Sequence, residues 1–194
     1  MKLSEELSEV FESYLSELAK SLEALDLRKL GEIGDLLYAA WKNDRTIFIF
    51  GNGDSATNAL HYALEFCKEG SVPGKKKAKA MCLNENISLM TALSNDVSYD
   101  AVFKNQLENF VEKGDVVIGI SGSGNSPNVL QAIEYANSVG AQTVGLTAFD
   151  GGILARLAKH SLVVQSHNME RAEDVHWIIG HMLRNYLKKK VAGG

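Results

Sequence analysis

Five short apolar runs after residue 45 constrain the fold more than any other feature of the chain. They lie at Thr46–Phe50, Ala78–Leu83, Asp115–Ile120, Gln142–Thr147 and His160–Val164. Their apolar residues are mostly consecutive rather than alternating, which is typical of strands buried on both faces. Helical patterns separate most of the runs, so we predict an α/β fold with a doubly wound, five-stranded parallel sheet flanked by helices. The flavodoxin-like strand order 2-1-3-4-5 would bring the loops after the first and third strands to one crevice.

Helical patterns account for most of the remaining chain. A stripe at intervals of three and four predicts a long N-terminal amphipathic helix through Leu3, Leu7, Val10, Tyr14, Leu18, Leu22 and Leu25. Further helices are predicted at about 27–42, 55–68, 87–111 (in two pieces), 126–138, 152–159 and 170–190. We find no internal repeat or low-complexity linker. We therefore expect a single domain over 1–194, with 1–42 as a helical segment for packing and oligomerisation and 43–194 as the α/β core.

Composition excludes several classes of function. The chain has 194 residues, 45% of them hydrophobic, and a net charge of −4, so it lacks the basic face typical of nucleic-acid binders. Its charged, periodic start is unlike a signal peptide, and no apolar run is long enough to span a membrane. Two cysteines, Cys67 and Cys82, do not make a disulfide framework. These features predict a cytoplasmic protein with no nucleic-acid or membrane partner.

The segment that follows the third strand has the character of an anion site. Ser126 and Pro127 are favoured residues for a helix N-cap and first turn, so a helix is predicted to begin there with its free N–H groups facing the loop. Glycines at 122 and 124 allow close approach of the backbone, and three hydroxyls are available from Ser121, Ser123 and Ser126. The loop lacks the lysine of a P-loop. We predict that it binds a phosphate monoester, although an ordinary strand-to-helix turn is the plainer alternative.

A second glycine-rich loop, Gly51–Ser55, follows the first strand and would face the same crevice. Its Asp54 would repel phosphate, so this loop is predicted to meet sugar hydroxyls through Asn52 and Ser55.

Ionisable residues on two distant helical segments are candidates for the chemistry. His61 and Glu65 are four residues apart and therefore share one face of a helix. In the last helix, His181 shares a broad face with both Asp174 and Glu173, and spacing does not choose between these acids. A histidine in such an apolar stripe is more often a satisfied core residue than a ligand.

If these groups converge, two imidazoles and two carboxylates would suit zinc or a similar divalent ion. The same groups could move a proton beside a carbonyl. A phosphate anchor with an acid/base pair is what aldose–ketose isomerisation through an enediol requires.

At these residues the sequence resembles the sugar isomerase (SIS) domain family and, within it, the phosphoheptose isomerases. The resemblance extends over nearly the whole chain, through "GNGDS", "HYALE", "SNDVSYD", "GISGSGNSPNVL", "VGLTAFDGG" and "RAEDVHWIIGH". It implies conversion of sedoheptulose 7-phosphate to D-glycero-D-manno-heptose 7-phosphate, the first step of bacterial heptose biosynthesis for surface polysaccharides such as lipopolysaccharide. It also implies a cytoplasmic homotetramer with active sites near subunit interfaces and a bound zinc ion in each.

The resemblance also implies roles for individual residues. Glu65 would be the catalytic base and His181 its acid/base partner. The metal ligands would be His61, Glu65, Glu173 and His181. Phosphate would be held by Ser121, Ser123, Ser126 and the amide of Gly122, while the sugar would meet Asn52, Gly53, Ser55, Asp96 and Glu173, with Thr147 nearby.

Four positions depart from the family pattern. Asp54 replaces a glycine, Gly122 a threonine, Glu173 a glutamine and Glu170 an aspartate. The charged Glu173 is expected to tighten metal binding, and another ketose phosphate could be the substrate. The alternatives to an enzyme are a non-catalytic family member that binds the replication initiator DnaA, and a sugar-phosphate-sensing module. The DnaA-binding branch lacks the glutamate and histidine that stand here at 65 and 181, so an enzyme is favoured.

Overall fold

The sheet of the computed structural model, which describes residues 5–193, has five parallel strands in the order β2-β1-β3-β4-β5. The strands are β1 (Thr46–Gly51), β2 (Lys79–Cys82), β3 (Val116–Ile120), β4 (Gln142–Ala148) and β5 (His160–Val164). The predicted α/β class and the predicted strand order are both confirmed. Each predicted strand lies within a residue of the observed one.

Alternate residues of β1 show that both faces of the sheet are covered. Ile47 and Ile49 pack into one core with the helices α2 (Leu27–Lys42), α3 (Asp54–Leu64) and α8 (Met169–Gly193). Phe48 and Phe50 pack into a second core with α5 (Val102–Phe110), α6 (Pro127–Val139) and α7 (Leu154–Leu157). All four side chains are at most 1% exposed, which explains why the strand is apolar throughout.

The remaining helical segments refine the sequence prediction. The helix predicted at 55–68 divides into α3 and a π-helical turn, Glu65–Glu69. The two pieces expected within 87–111 are α4 (Ile87–Asp96) and α5, joined by a 3₁₀ turn at Tyr99–Ala101. The helix predicted at 152–159 is a single turn: Gly151 and Gly152 precede it in left-handed conformations with φ of 84° and 56°, and the backbone is already extended at Ala158, before β5.

The N-terminal helix α1 (Glu5–Glu23) buries only part of its predicted stripe. Leu25 is buried just beyond its end, and Leu18 and Leu22 pack against the core, whereas Val10 is 57% exposed. Leu3 lies outside the described residues. The first turns of α1 therefore retain an apolar surface. Within the described part of the chain, no helix is both long and apolar enough to cross a membrane.

Candidate active site

Two loops meet at the carboxyl edge of the sheet because their strands end at the same level. Gly51 of β1 pairs with Ile120 of β3, so the loops that follow these residues begin side by side. The amides of Asn52 and Asn128 exchange two hydrogen bonds of 2.9 Å across them, and the Tyr99 hydroxyl donates to the Asn52 oxygen. The first loop is thus tied to the start of α6.

The loop Ser121–Ser126, called the serine loop below, presents hydroxyls at this junction. The hydroxyl oxygens of Ser121 and Ser126 lie 3.0 Å apart, and Ser123 is exposed. Pro127 is the first residue of α6, as predicted. Ser126 takes the N-cap position, but its hydroxyl contacts Ser121 instead of capping a backbone N–H. Pro127 has no N–H, and the N–H of Val129 donates to Asn128 Oδ1 over 2.9 Å, so among the described residues the first turn of α6 offers the N–H of Asn128 to an anion ligand.

Close packing of backbone fixes the shape of the serine loop. The N–H of Leu154 donates to the Gly124 carbonyl over 2.9 Å, and Ala148 N–H donates to the Gly122 carbonyl at the same distance. Gly124 has φ of 65°, and a Cβ there would overlap the carbonyl of Gly151. At Gly122, a Cβ would overlap the sulfur of Met169, so Met169 covers this position of the loop.

Helices α3 and α8 approach closely enough to bring distant residues together. Gly180 of α8 faces the ring of Tyr62, which would overlap any Cβ at that position, and the Tyr62 hydroxyl donates to the His176 carbonyl. His61 precedes Tyr62 and His181 follows Gly180, and the Nε2 atoms of these two histidines are 2.9 Å apart. The absence of a side chain at position 180 therefore allows the two histidines to meet.

His61, Glu65 and His181 form a compact group, called the His–Glu–His cluster below. One side-chain ligand atom from each lies within 4.8 Å of the others, and Glu65 is 5% exposed. Burial lowers the pKa of His61, an effect that the Glu65 carboxylate opposes. Since the two facing nitrogens form a hydrogen bond, one ring donates and the other accepts. The cluster can therefore transfer a proton, and its donor set suits a divalent transition metal.

Two residues that sequence reasoning missed flank this cluster. The indole of Trp177 stacks on the His61 ring with centroids 3.8 Å apart, and Arg184 donates to the Glu65 carboxylate over 2.7 Å. Both belong to α8: Trp177 lies four residues before His181, and Arg184 lies three residues after it. The spacing 177, 181, 184 is the signal that could have indicated them, because these positions share one helical face.

Glu173 lies apart from the His–Glu–His cluster in this structure. The Asp54 carboxylate is its neighbour, and the pKa of Glu173 is raised mainly by burial and next by this like charge. Asp174 instead accepts a hydrogen bond from the hydroxyl of Tyr14 in α1. A cavity of about 310 Å³ beside the cluster is lined by Tyr14, Asp54, Thr57, Asn58, Glu170, Glu173, Asp174 and Trp177.

The other residues implied by the resemblance occupy varied positions. Gly53 and Ser55 lie at the start of α3, where Ser55 is buried. Asp96 ends α4 in an exposed position, and within the described residues no hydrogen bond joins it to either loop. Thr147 is fully buried, and its carbonyl contacts the ring of His176. Burial lowers the pKa of His176 to about 4, so this histidine is a neutral core residue.

Gly180→Ala is expected to separate the His–Glu–His cluster and to lower the free energy of unfolding by about 1–3 kcal/mol, because the new methyl overlaps the Tyr62 ring. Gly31→Ala is the matched control: Gly31 is also helical, and a Cβ there meets nothing within 4 Å. That control should gain about 0.5–1 kcal/mol. Chemical denaturation measures both values, and equal stability of the two variants would contradict close packing at Gly180.

Comparison with known proteins agrees with this arrangement. Residues 10–148 match the SIS domain, and the chain therefore belongs to the SIS domain family. Within that family it falls among the phosphoheptose isomerases, which are aldose–ketose isomerases. It is 37% identical over 182 residues to the phosphoheptose isomerase of Helicobacter pylori strain 26695, covering 94% of both chains. It is 36% identical over 181 residues to a probable phosphoheptose isomerase of Thermoplasma acidophilum, covering 91% of this chain and 97% of the relative.

A solved structure is similar over almost the full length. Phosphoheptose isomerase GmhA from Neisseria gonorrhoeae matches with a TM-score of 0.87 and 28% identity, covering 94% of this chain and 99% of that chain. The close agreement in fold and length is consistent with the sequence relatives.

Proposed function

We propose that the protein converts sedoheptulose 7-phosphate to D-glycero-D-manno-heptose 7-phosphate through an enediol. The observation that carries this proposal is the meeting of Glu65 and His181, which lie 116 positions apart in the sequence, in one partly buried cluster. The serine loop, at the end of a neighbouring strand, supplies the anion site. A phosphate held there leaves the carbonyl end of an extended sugar to reach the cluster.

Glu65 and His181 carry out the proton transfers. The Glu65 carboxylate removes a proton from C1 of the ketose, and the C–H electron pair forms the C1=C2 bond. The C2 oxygen takes a proton from His181, which gives the enediol. Return of the proton to C2 and loss of the proton on the C1 oxygen then give the aldose. Phosphate contacts are assigned to Ser121, Ser123, Ser126 and the amide of Gly122, and sugar contacts to Asn52, Gly53, Ser55, Asp96 and Glu173.

The His–Glu–His cluster is also proposed to hold zinc. Two imidazoles and a carboxylate are a common donor set for that ion, and Glu173 is proposed as a further ligand. Zinc, when bound, would polarise the substrate carbonyl. Because Glu173 lies beside Asp54 and apart from the cluster, its participation would require its side chain to move.

The N-terminal segment 1–42 is proposed to contribute to a homotetramer in the cytoplasm. Val10, Phe11 and Leu15 of α1 are each more than half exposed, although they are large and apolar. Burial of these side chains against another subunit would cover the apolar surface of α1 that the α/β core, 43–194, leaves exposed.

Two rival functions are less well supported. A DnaA-associating protein or a sugar-phosphate sensor would not need Glu65 and His181 in contact range of one another. Burial of the Glu65 carboxylate is costly without a function, since a carboxylate must be paired when it leaves water.

Turnover of sedoheptulose 7-phosphate by the purified protein tests the proposal. We expect formation of the aldose 7-phosphate, observed by NMR, with loss of activity in excess chelator and recovery on adding zinc. Full activity in chelator would remove the metal from the proposal and leave catalysis by Glu65 and His181. Binding of the ketose without any turnover would favour the sensor, whereas binding to DnaA without affinity for the sugar would favour the replication factor.

A further inference from the structure

The carboxylate of Glu65 has a partner outside the His–Glu–His cluster. The Nε atom of Arg184 donates to Glu65 Oε2 over 2.7 Å, and the side chains are 23% and 7% exposed. Among the described residues, Arg184 is the ion-pair partner of Glu65. A carboxylate so far from water needs such a partner to remain charged and in place.

The guanidinium is itself held on the surface of α8. Its Nη1 atom donates to the side-chain oxygen of Asn185 over 2.8 Å. Arg184 also lies one turn beyond His181, so the same helix that supplies one imidazole supplies the group that orients the carboxylate. Oε2 is engaged by Arg184, whereas Oε1 is not part of this hydrogen bond.

We propose that Arg184 is a positioning residue that fixes the Glu65 carboxylate through Oε2 and leaves Oε1 to act on the substrate or to bind the metal. This role rests on the proposed function of the cluster but adds a residue to it. Arg184 does not touch the reacting atoms. It acts by holding Glu65 in one orientation.

Two effects of Arg184 on metal binding oppose each other. Its positive charge repels a divalent ion, but the guanidinium is partly exposed and water screens that repulsion. Its hydrogen bond orients a ligand, and loss of such an outer contact typically costs about 10–100-fold in metal affinity or activity. We expect orientation to dominate, because Glu65 has no alternative ion-pair partner among the described residues.

The test compares Arg184→Gln and Arg184→Lys with the control Lys188→Gln. Lys188 is an exposed residue one turn further along α8, so its replacement removes the same charge without disturbing the hydrogen bond to Glu65. The first measurement is the dissociation constant of Zn²⁺, determined on metal-free protein by competition with a chelator. The second separates kcat from KM for sedoheptulose 7-phosphate.

We expect Arg184→Gln to weaken Zn²⁺ binding by about 10–100-fold, and to lower kcat by a similar factor with KM within twofold of the wild type. Arg184→Lys keeps the charge but not the planar guanidinium, so its Zn²⁺ affinity and kcat should lie between those of Arg184→Gln and the wild type. If Arg184→Gln does not fold, the comparison of Arg184→Lys with the wild type provides the test. Lys188→Gln should match the wild type.

Zn²⁺ affinity of Arg184→Gln within threefold of the wild type, or tighter, would overturn the proposal; if the wild type binds no Zn²⁺, an unchanged kcat in Arg184→Gln would overturn it. The zinc titration requires no substrate. Weaker Zn²⁺ binding by the variant, combined with a wild type that does not isomerise sedoheptulose 7-phosphate, would therefore uphold the role of Arg184 while rejecting the proposed reaction.

Discussion

Glu65→Gln is expected to lower kcat for sedoheptulose 7-phosphate by about 10²–10⁴-fold, the usual contribution of a positioned general base. The amide has nearly the same shape as the carboxylate but cannot accept the proton from C1. Its oxygen can still accept the hydrogen bond from Arg184, so the local fold should persist. The measurement is steady-state kinetics, with circular dichroism and thermal unfolding as checks on the fold.

Glu112→Gln is the matched control for this variant. Glu112 pairs with Arg45 over 3.3 Å on the surface, and its side chain is 76% exposed. Removing that carboxylate should leave kcat unchanged, because exposed ion pairs contribute little and the site is remote from the cluster. Turnover by Glu65→Gln at the rate of this control would exclude Glu65 as the base.

Gly124→Ala is expected to disable the serine loop. A Cβ at this position overlaps the backbone carbonyl of Gly151, which cannot rotate away as a side chain would. The residue also has φ of 65°, a conformation that costs a non-glycine residue about 1–2 kcal/mol. We expect KM for the sugar phosphate to rise by at least about tenfold, since a lost hydrogen bond to a charged group alone costs about 1.5–3 kcal/mol.

Gly74→Ala is the control that distinguishes the effect of backbone strain from the effect of the steric overlap expected in Gly124→Ala. Gly74 has φ of 78°, but a Cβ there meets nothing within 4 Å, so this variant should lose about 1–2 kcal/mol of stability and keep the wild-type KM. Kinetics and chemical denaturation of both variants provide the comparison. A Gly124→Ala protein with the KM of Gly74→Ala would show that the serine loop does not bind the phosphate.

The strands of the sheet are predictable from the sequence, because burial on both faces requires nearly every residue of a strand to be apolar. Ile47 and Phe48 point to opposite cores, so neither position of β1 could be polar. The flavodoxin-like strand order, which the structure confirms, places the two glycine-rich loops at one edge. For the same reason, the neighbourhood of Asn52 and Ser121 was predictable without coordinates.

Side-chain partners across helices were much less predictable. The contact between α3 and α8 depends on Gly180 facing Tyr62, and no local pattern specifies that pairing. Consequently, the sequence could indicate His61 and His181 but not the roles of Trp177 and Arg184. It also left Glu173 and Asp174 equivalent, whereas Glu173 lies against Asp54 and Asp174 against Tyr14.

The most direct test of the central claim is isomerisation in D₂O followed by NMR. If Glu65 removes the C1 proton and this proton exchanges with solvent while the enediol is bound, the heptose 7-phosphate formed from sedoheptulose 7-phosphate should contain solvent deuterium at C2. Deuterium incorporation should disappear in Glu65→Gln. An undiminished rate of product formation in Glu65→Gln, with no solvent deuterium at C2, would contradict catalysis by the partly buried cluster of His61, Glu65 and His181.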